Sequence, residues 1–176
     1  IAKNGATNLY EVDMKSFMIK QLTYNFAINT SPSYSPDGKK IVYNSNISGQ
    51  RHLYIMDADG SNATRISFGN GVYACPVWSP RGDLIAFTRI TQSEGFTINV
   101  MRIDGSGERM LSRGYLVESP SWSPNGSVIA YTKFNYPVKK QPNLPYLYSI
   151  DISGYNEMRL NTPKFGSSPE WSYLLD

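Results

Sequence analysis

The chain offers few side chains for catalysis or metal binding. It has one histidine, His52, and one cysteine, Cys75, in 176 residues. A nucleophile needs a base beside it, and a metal site needs several Cys, His or carboxylate ligands at short spacing. A Ser-His-Asp triad would have to be built around His52 alone, and one thiol forms neither an internal disulfide nor a cysteine-rich metal site. We therefore expect no catalytic residue, no metal site, no cofactor and no enzymatic activity.

One short segment has the beginning of a calcium-loop pattern. It is Asp57-Ala58-Asp59-Gly60, and it lacks both a third acidic ligand before the glycine and a glutamate six residues after it. Asp-Gly between two apolar runs is instead a strong β-hairpin signal. The pattern thus predicts a tight turn, and we interpret His52 as an ordinary hydrogen-bonding residue.

Two phrases recur along the chain and predict its fold. Ser/Cys-Pro-x-aromatic-Ser begins at Ser31, Cys75, Ser119 and Ser168, and three copies continue into Pro-x-Gly. Leu-Tyr-x-x-Asp begins at Leu9, Leu53 and Leu147, with a degenerate copy at 98–102. The prolines before the aromatic residues are 44, 44 and 49 residues apart. A period in the forties, filled with short strands and tight turns, indicates an all-β fold, a β-propeller of four-stranded antiparallel blades with about four repeats.

The spacing within a repeat predicts where binding residues lie. We label the strands A to D, with the Trp or Tyr of the first phrase on A and Leu-Tyr on C. The spacing from A to B is 7 residues in the three complete copies and that from C to D is 13 in all four, whereas B to C varies as 10, 11 and 16. A–B and C–D turns lie at one end of an up-and-down blade, and B–C and D–A loops lie at the other. The variable end is therefore the expected binding face.

Several residues of that face are candidates for contact with a partner. We predict D–A loops at 23–30, 67–74, 112–118 and 161–167, and a long B–C loop at 133–145 that contains Tyr136, Lys139 and Lys140. Aromatic residues are enriched at interface centres, which makes the loop aromatics candidates: Phe26, Tyr73, Tyr115 and Phe165. Glu118 and Lys164 are expected near the channel mouth. Trp78, Trp122, Trp171 and Tyr34 recur at the repeat period and are expected to pack between blades, and Cys75 is expected to be a small buried residue.

Composition narrows the range of partners. Hydrophobic residues make up 40% of the chain and aromatic residues 13%, as in a β-rich folded core. The net charge of +3 is not concentrated in one run, which argues against nucleic-acid binding. No apolar run approaches 18 residues, so no membrane-spanning segment is expected.

The blade phrases resemble those of the TolB family, in particular Ser-Pro-x-Trp-Ser-Pro-x-Gly and Leu-Tyr-x-Met-Asp-x-Asp-Gly. The ending at 169–176, Pro-Glu-Trp-Ser-Tyr-Leu-Leu-Asp, is similar to the ending of this family. The resemblance implies a periplasmic, non-catalytic protein-interaction module of the Tol-Pal cell-envelope system, with roles in outer-membrane integrity, protein transport and cell division. The implied partner is Pal, the peptidoglycan-associated lipoprotein. The family's Pal-binding surface maps by position onto the D–A loops and implies these partner-binding residues: Phe26, Asn29, Tyr73, Ala74, Tyr115, Glu118, Lys164 and Phe165.

The resemblance also implies an architecture. The family has an N-terminal α/β domain, which engages other Tol proteins, followed by six blades, so 1–176 is expected to be a propeller fragment without that domain. Its predicted parts are an incomplete blade at 1–30, blades at 31–67, 75–112 and 119–161, and a closing strand at 168–176. Open blade edges recruit other strands, so we expect a dimer or a poorly soluble chain.

Two other functions stay open at this stage. Propellers of prolyl-oligopeptidase-type serine peptidases share the Ser-Pro-Asp-Gly style of turn, and these propellers gate access to a hydrolase domain. A propeller that binds a small molecule or a sugar is the other alternative.

Overall fold

The structure is a computed structural model that describes residues 2–3, 5–136 and 143–172, and in this part of the chain every regular element is a β-strand. Sixteen strands are present. A hairpin and a two-stranded blade 1 come first: β1 (Ala2–Lys3), β2 (Ala6–Thr7), β3 (Tyr10–Val12) and β4 (Ile19–Gln21).

Three four-stranded blades follow. Blade 2 comprises β5 (Asn29–Tyr34), β6 (Lys40–Ser45), β7 (His52–Asp57) and β8 (Thr64–Arg65). Blade 3 comprises β9 (Val72–Trp78), β10 (Leu84–Thr91), β11 (Gly95–Arg102) and β12 (Arg109–Gly114). Blade 4 comprises β13 (Leu116–Trp122), β14 (Val128–Phe134), β15 (Pro145–Asp151) and β16 (Met158–Arg159).

Within each blade the strands pair antiparallel with their neighbours in chain order, which confirms the predicted fold class. The first strands of successive blades also touch, β5 against β9 and β9 against β13. The division of the chain into the predicted blade segments stays a prediction. Residues 168–172 have no strand assignment, and residues 173–176 of the expected closing strand lie outside the described residues.

The connections separate into two ends of the blades. The turn face is made of 13–18, 35–39, 58–63, 79–83, 103–108, 123–127 and 152–157. The loop face is made of 22–28, 46–51, 66–71, 92–94, Tyr115, 135–136, 143–144 and 160–167. Lys139 and Lys140 of the predicted long loop lie outside the described residues.

The Pro-x-Gly turns form as predicted on the turn face. The amide of Gly82 donates to the carbonyl of Ser79 at 2.9 Å, and the amide of Gly126 donates to that of Ser123 at 2.8 Å. Both glycines have a positive φ, +78° and +65°, which other residues adopt at a cost.

The first strand of each blade begins earlier than the sequence predicts. Ser31, Cys75 and Ser119 have φ of 54°, 50° and 57°, and a break in strand register occurs beside each of them. A β-bulge accommodates a proline that a regular strand would exclude, so each strand runs through its Ser-Pro or Cys-Pro pair. The predicted D–A loops are consequently too long, and Asn29, Tyr73, Ala74 and Glu118 lie in strands rather than loops.

Three apolar clusters fill the spaces between blades. One lies between blades 1 and 2 and contains Leu9, Leu22 and Tyr43, and the next lies between blades 2 and 3 around Tyr73 and Phe87. The third lies between blades 3 and 4 around Trp122 and Tyr131.

The repeating aromatic residues contribute to this packing to different extents. Trp78 and Trp122 are each 6% exposed, as expected for packing between blades. Tyr34 and Trp171 are 45% and 42% exposed, so the expected packing between blades is less complete at these two positions. These four residues line a groove of about 550 Å³ on the turn face.

Candidate functional site

The eight residues predicted to bind a partner divide into an exposed group and a strand group. Phe26, Tyr115, Lys164 and Phe165 are exposed on the loop face, with Phe26 at 93%. Asn29 and Tyr73 are fully buried, and Ala74 and Glu118 are half-buried within β9 and β13. The structure thus brings the exposed group to one surface, whereas the strand group lies in the first strands of blades 2, 3 and 4.

Tyr73 is the centre of a buried network that supports a D–A loop. Its hydroxyl donates to Oε2 of Glu108 at 3.0 Å, and its ring packs against His52 and Phe87 with centroid distances of 5.5 and 5.4 Å. Burial, followed by the nearby carboxylate of Glu108, raises the pKa of Tyr73 to about 12. Tyr73 therefore stays a neutral donor at physiological pH.

Arg89 links this network to the loop face. Its Nη1 forms an ion pair with Glu108 at 2.9 Å, and both side chains are only 21% exposed. Its Nε and Nη2 donate to the carbonyl of Asn70 at 3.0 and 2.8 Å. One guanidinium therefore fixes the D–A loop before blade 3, because it holds a backbone carbonyl and a carboxylate in one plane.

A similar network lies between blades 3 and 4. Lys133 forms an ion pair with Glu157 at 2.8 Å, and the hydroxyls of Tyr131 and Ser112 also donate to Glu157. Burial would raise the pKa of Glu157, but the hydrogen bonds from Lys133, Ser112 and Tyr131 outweigh it and hold that pKa below its usual value. This carboxylate connects the two blades through charge-assisted hydrogen bonds.

Asn29 supports the loop between blades 1 and 2. Its Nδ2 donates to Oδ1 of Asn25 at 2.7 Å and to the carbonyl of Thr7 at 3.1 Å. It thereby joins the N-terminal hairpin to the loop that carries Phe26. Asn29, like Tyr73, is placed to position a loop.

A cleft of about 980 Å³ opens on the loop face between blades 2 and 3. Its walls are the D–A loop that Arg89 fixes and the hairpin that joins β10 to β11. Beside the charged Arg89 and Glu94, its polar lining includes three amide side chains: Gln50, Asn70 and Gln92. Such groups can donate to and accept from a peptide backbone.

Blade 4 presents two aromatic pairs on the same face. Tyr115 meets Tyr136 edge to face at 6.1 Å, and Tyr146 meets Phe165 at 5.8 Å. The guanidinium carbon of Arg159 lies 3.6 Å from the centre of the Tyr146 ring. Tyr136 and Phe165 are 69% and 56% exposed, so this aromatic surface faces solvent.

Sequence reasoning missed two exposed aromatic residues of the loop face. Tyr24 is 78% exposed and Phe68 is 73% exposed, the latter beneath the guanidinium of Arg65 at 5.1 Å. Both lie within predicted D–A loops, so their position in those loops was the available signal.

His52 does not activate a nucleophile. Nη2 of Arg65 donates to its Nε2 at 2.9 Å, so the ring proton resides on Nδ1, which donates to Oγ of Ser67 at 3.1 Å. Ser67 Oγ also accepts from the amide of Leu53 at 2.9 Å. Burial, and then the charge of Arg65, lowers the pKa of His52. A histidine that donates its proton to a serine cannot act as that serine's general base, and the predicted hydrogen-bonding role is confirmed.

Within the described residues, no group of three or more His, Cys, Asp or Glu side chains is placed to hold a metal ion. Asp57 and Asp59 instead hold a hairpin turn, where Oδ2 of Asp57 accepts from Asn62 at 2.7 Å and Oδ1 of Asp59 accepts from the amide of Ser61 at 2.8 Å. No helix in this part of the chain has the length and apolar character needed to cross a membrane. Cys75 is half-buried, and burial raises the pKa of its thiol.

Comparison with known proteins places this chain in a family. TolB from Acinetobacter baumannii superposes with a TM-score of 0.83 at 25% identity, covering 96% of this chain and 41% of that chain. A putative TolB from Agrobacterium tumefaciens gives 0.73 at 26%, covering 88% and 57%. The chain therefore spans about half the length of these solved relatives.

A more distant match supports the fold alone. An acylaminoacyl peptidase from Pyrococcus horikoshii has a TM-score of 0.60 at 14% identity, over 77% of this chain and 25% of that one. The family model of the TolB beta propeller domain, by contrast, matches residues 1–175. The chain belongs to the TolB β-propeller family.

Proposed function

We propose that the loop face is the binding surface of a non-catalytic protein-interaction module of the Tol-Pal system. Its partner is the peptidoglycan-associated lipoprotein, its location is the periplasm, and its role is in outer-membrane integrity, cell division and protein transport. Family membership over residues 1–175 is the observation that carries this proposal.

The geometry of the loop face supports a protein partner. Exposed aromatic side chains lie on the same face as a cleft with polar amide groups, and buried networks support loops of that face. Interfaces favour aromatic anchors with few rotatable bonds on a rigid support, because less entropy is lost on binding. The match of the TolB beta propeller family model to residues 1–175 favours this function over the alternative of a serine-peptidase propeller.

Titration calorimetry of this chain with the soluble domain of a peptidoglycan-associated lipoprotein tests the proposal. We expect saturable one-to-one binding that Phe26→Ala and Phe165→Ala each weaken by about 5- to 30-fold, as the loss of exposed aromatic anchors does. Tyr155→Ala is the matched control, because Tyr155 is 74% exposed on the turn face.

Two results would contradict the proposal. The absence of binding to a folded sample would reject the partner. Equal effects of Phe26→Ala and Tyr155→Ala would reject the loop face as the site. The expected dimer and the engagement of other Tol proteins stay predictions, and light scattering tests the first of them.

A further inference from the structure

Among the described residues, the aspartate side chains are confined to one of the two faces. All seven aspartates of the described residues lie on the turn face or at a strand end beside it: Asp13, Asp37, Asp57, Asp59, Asp83, Asp104 and Asp151. The cause is local, since an aspartate accepts a hydrogen bond from the amide two residues further along a tight turn. Asp104 accepts from the amide of Ser106 at 2.9 Å in this way. The turn face thus holds the aspartate charge, and the loop face has none of it.

Three exposed cations on the loop face have neither a carboxylate partner nor an aromatic ring against them among the described residues, whereas Arg159 lies over the Tyr146 ring. They are Arg51 before β7, Arg113 at the end of β12 and Lys164 in the segment 160–167. Arg89 and Lys133 are, in contrast, neutralised by Glu108 and Glu157. An unpaired exposed cation remains available to an incoming carboxylate.

Opposing charge on this face is sparse. Glu94 is the exposed acidic residue among its described loops, and Glu118 lies half-buried within β13. Exposed aromatic residues share this face with the three cations, among them Phe68 and Tyr115 on its loops. Together these groups match a ligand that carries carboxylates and apolar anchors at once.

We propose that the loop face receives an acidic protein segment, whose carboxylates pair with Arg51, Arg113 and Lys164. The backbone of the segment lies over the amide-lined cleft beside Arg51, and its apolar residues meet the exposed aromatic side chains. This inference rests on the proposed function, since it specifies the chemistry of the partner at the same face. The three cations are dispersed among loops instead of forming a continuous basic track, which favours a peptide over a nucleic acid.

Charge reversal tests the inference. Arg51→Glu, Arg113→Glu and Lys164→Glu are each expected to weaken binding of the lipoprotein domain by about 2- to 10-fold, and the triple variant by about 10- to 100-fold. Lys39→Glu and Arg81→Glu are the controls, because these cations are 81% and 54% exposed on the turn face. Raising the salt from about 0.05 M to about 0.2 M is expected to weaken wild-type binding and to leave the triple variant less affected.

A second probe separates this inference from the proposed function. A synthetic peptide that alternates glutamate with phenylalanine is compared with the same peptide in which glutamine replaces glutamate. Preferential binding of the acidic peptide supports the inference even where the lipoprotein domain fails to bind, which rejects only the named partner. Lipoprotein binding that is insensitive to salt and to all three reversals overturns the inference while the proposed function stands. Stronger binding of a DNA duplex than of the acidic peptide also overturns it.

Discussion

Replacing Tyr73 by phenylalanine removes one hydroxyl and leaves the buried ring between His52 and Phe87 in place. The lost hydrogen bond is the 3.0 Å contact with Oε2 of Glu108. Hydrogen bonds to charged groups contribute about 1.5–3 kcal/mol, but Glu108 keeps Arg89 and is 21% exposed, so water replaces part of the loss. We expect the free energy of unfolding to fall by about 1–2 kcal/mol and the melting temperature by about 2–8 °C.

Urea denaturation followed by tryptophan fluorescence measures this loss. Tyr54→Phe is the matched control, because the Tyr54 hydroxyl donates to the neutral Oγ of Ser48 at 3.0 Å and should contribute less. The pH dependence adds an independent test. The pKa of Tyr73 rises from 10.0 to about 12 on folding, so its stabilisation is complete below pH about 10 and is lost as pH rises through about 12. Tyr73→Phe should flatten this part of the stability curve, and a variant identical to Tyr54→Phe in both measurements would refute the role assigned to the network.

Three further outcomes are expected. Trp122→Phe should lower the free energy of unfolding by about 1–3 kcal/mol, since it removes both buried volume and the 3.0 Å bond from Nε1 to the carbonyl of Val77; an unchanged urea midpoint would argue against this. The pKa of Glu157 is lowered on folding. The stability that its carboxylate provides should therefore be complete above its usual pKa and be lost as pH falls through the lower folded value. Glu157→Gln should be less stable than the wild type at neutral pH and should lose less stability on acidification. Cys75 should react with iodoacetamide more slowly in the native state than in urea, as mass spectrometry would show, because burial raises its pKa; equal rates would contradict that reason.

Local patterns were sufficient to predict the strand order and the turns. Pro-x-Gly and Asp-Gly specify hairpins through short-range sterics, and Gly82 and Gly60 accordingly have φ of +78° and +94°. The Leu-Tyr phrase of Leu53 and Tyr54 lies on a third strand, as expected.

The first strand of each blade was harder to predict, because Pro76 marks a strand end by every local criterion. A strand can include Pro76 here because of the bulge at Cys75, and that bulge depends on how two strands pair rather than on the local sequence. The assignment of Tyr73 to a loop follows from the same error.

The networks beneath the loop face could not be read from sequence, because their members meet only after the strands of one blade pair or two blades pack. Arg89 and Glu108 are 19 residues apart, and Ser112 and Glu157 are 45 apart. Spacing within one repeat gives no information on a contact between two repeats, such as that of Ser112 with Glu157. The exposure of a loop residue depends less on packing. The predicted loop positions of Phe26 and Phe165 therefore agree with the structure, whereas that of Tyr73 does not.

The hydrogen bonds of the repeating aromatic positions all run in one direction along the chain. Tyr34 donates to Glu11, the amide of Trp78 to Ser33, Trp122 to Val77 and Trp171 to Ser121. The donor follows its acceptor by 23 residues in the first pair and by 45 to 50 in the others, and it always lies beyond the blade that holds the acceptor. Chains are synthesised from the N-terminus, so each acceptor is made before its donor. Each emerging aromatic residue therefore meets an acceptor that is already in place, and the blades are suited to being added one at a time in the order of their synthesis.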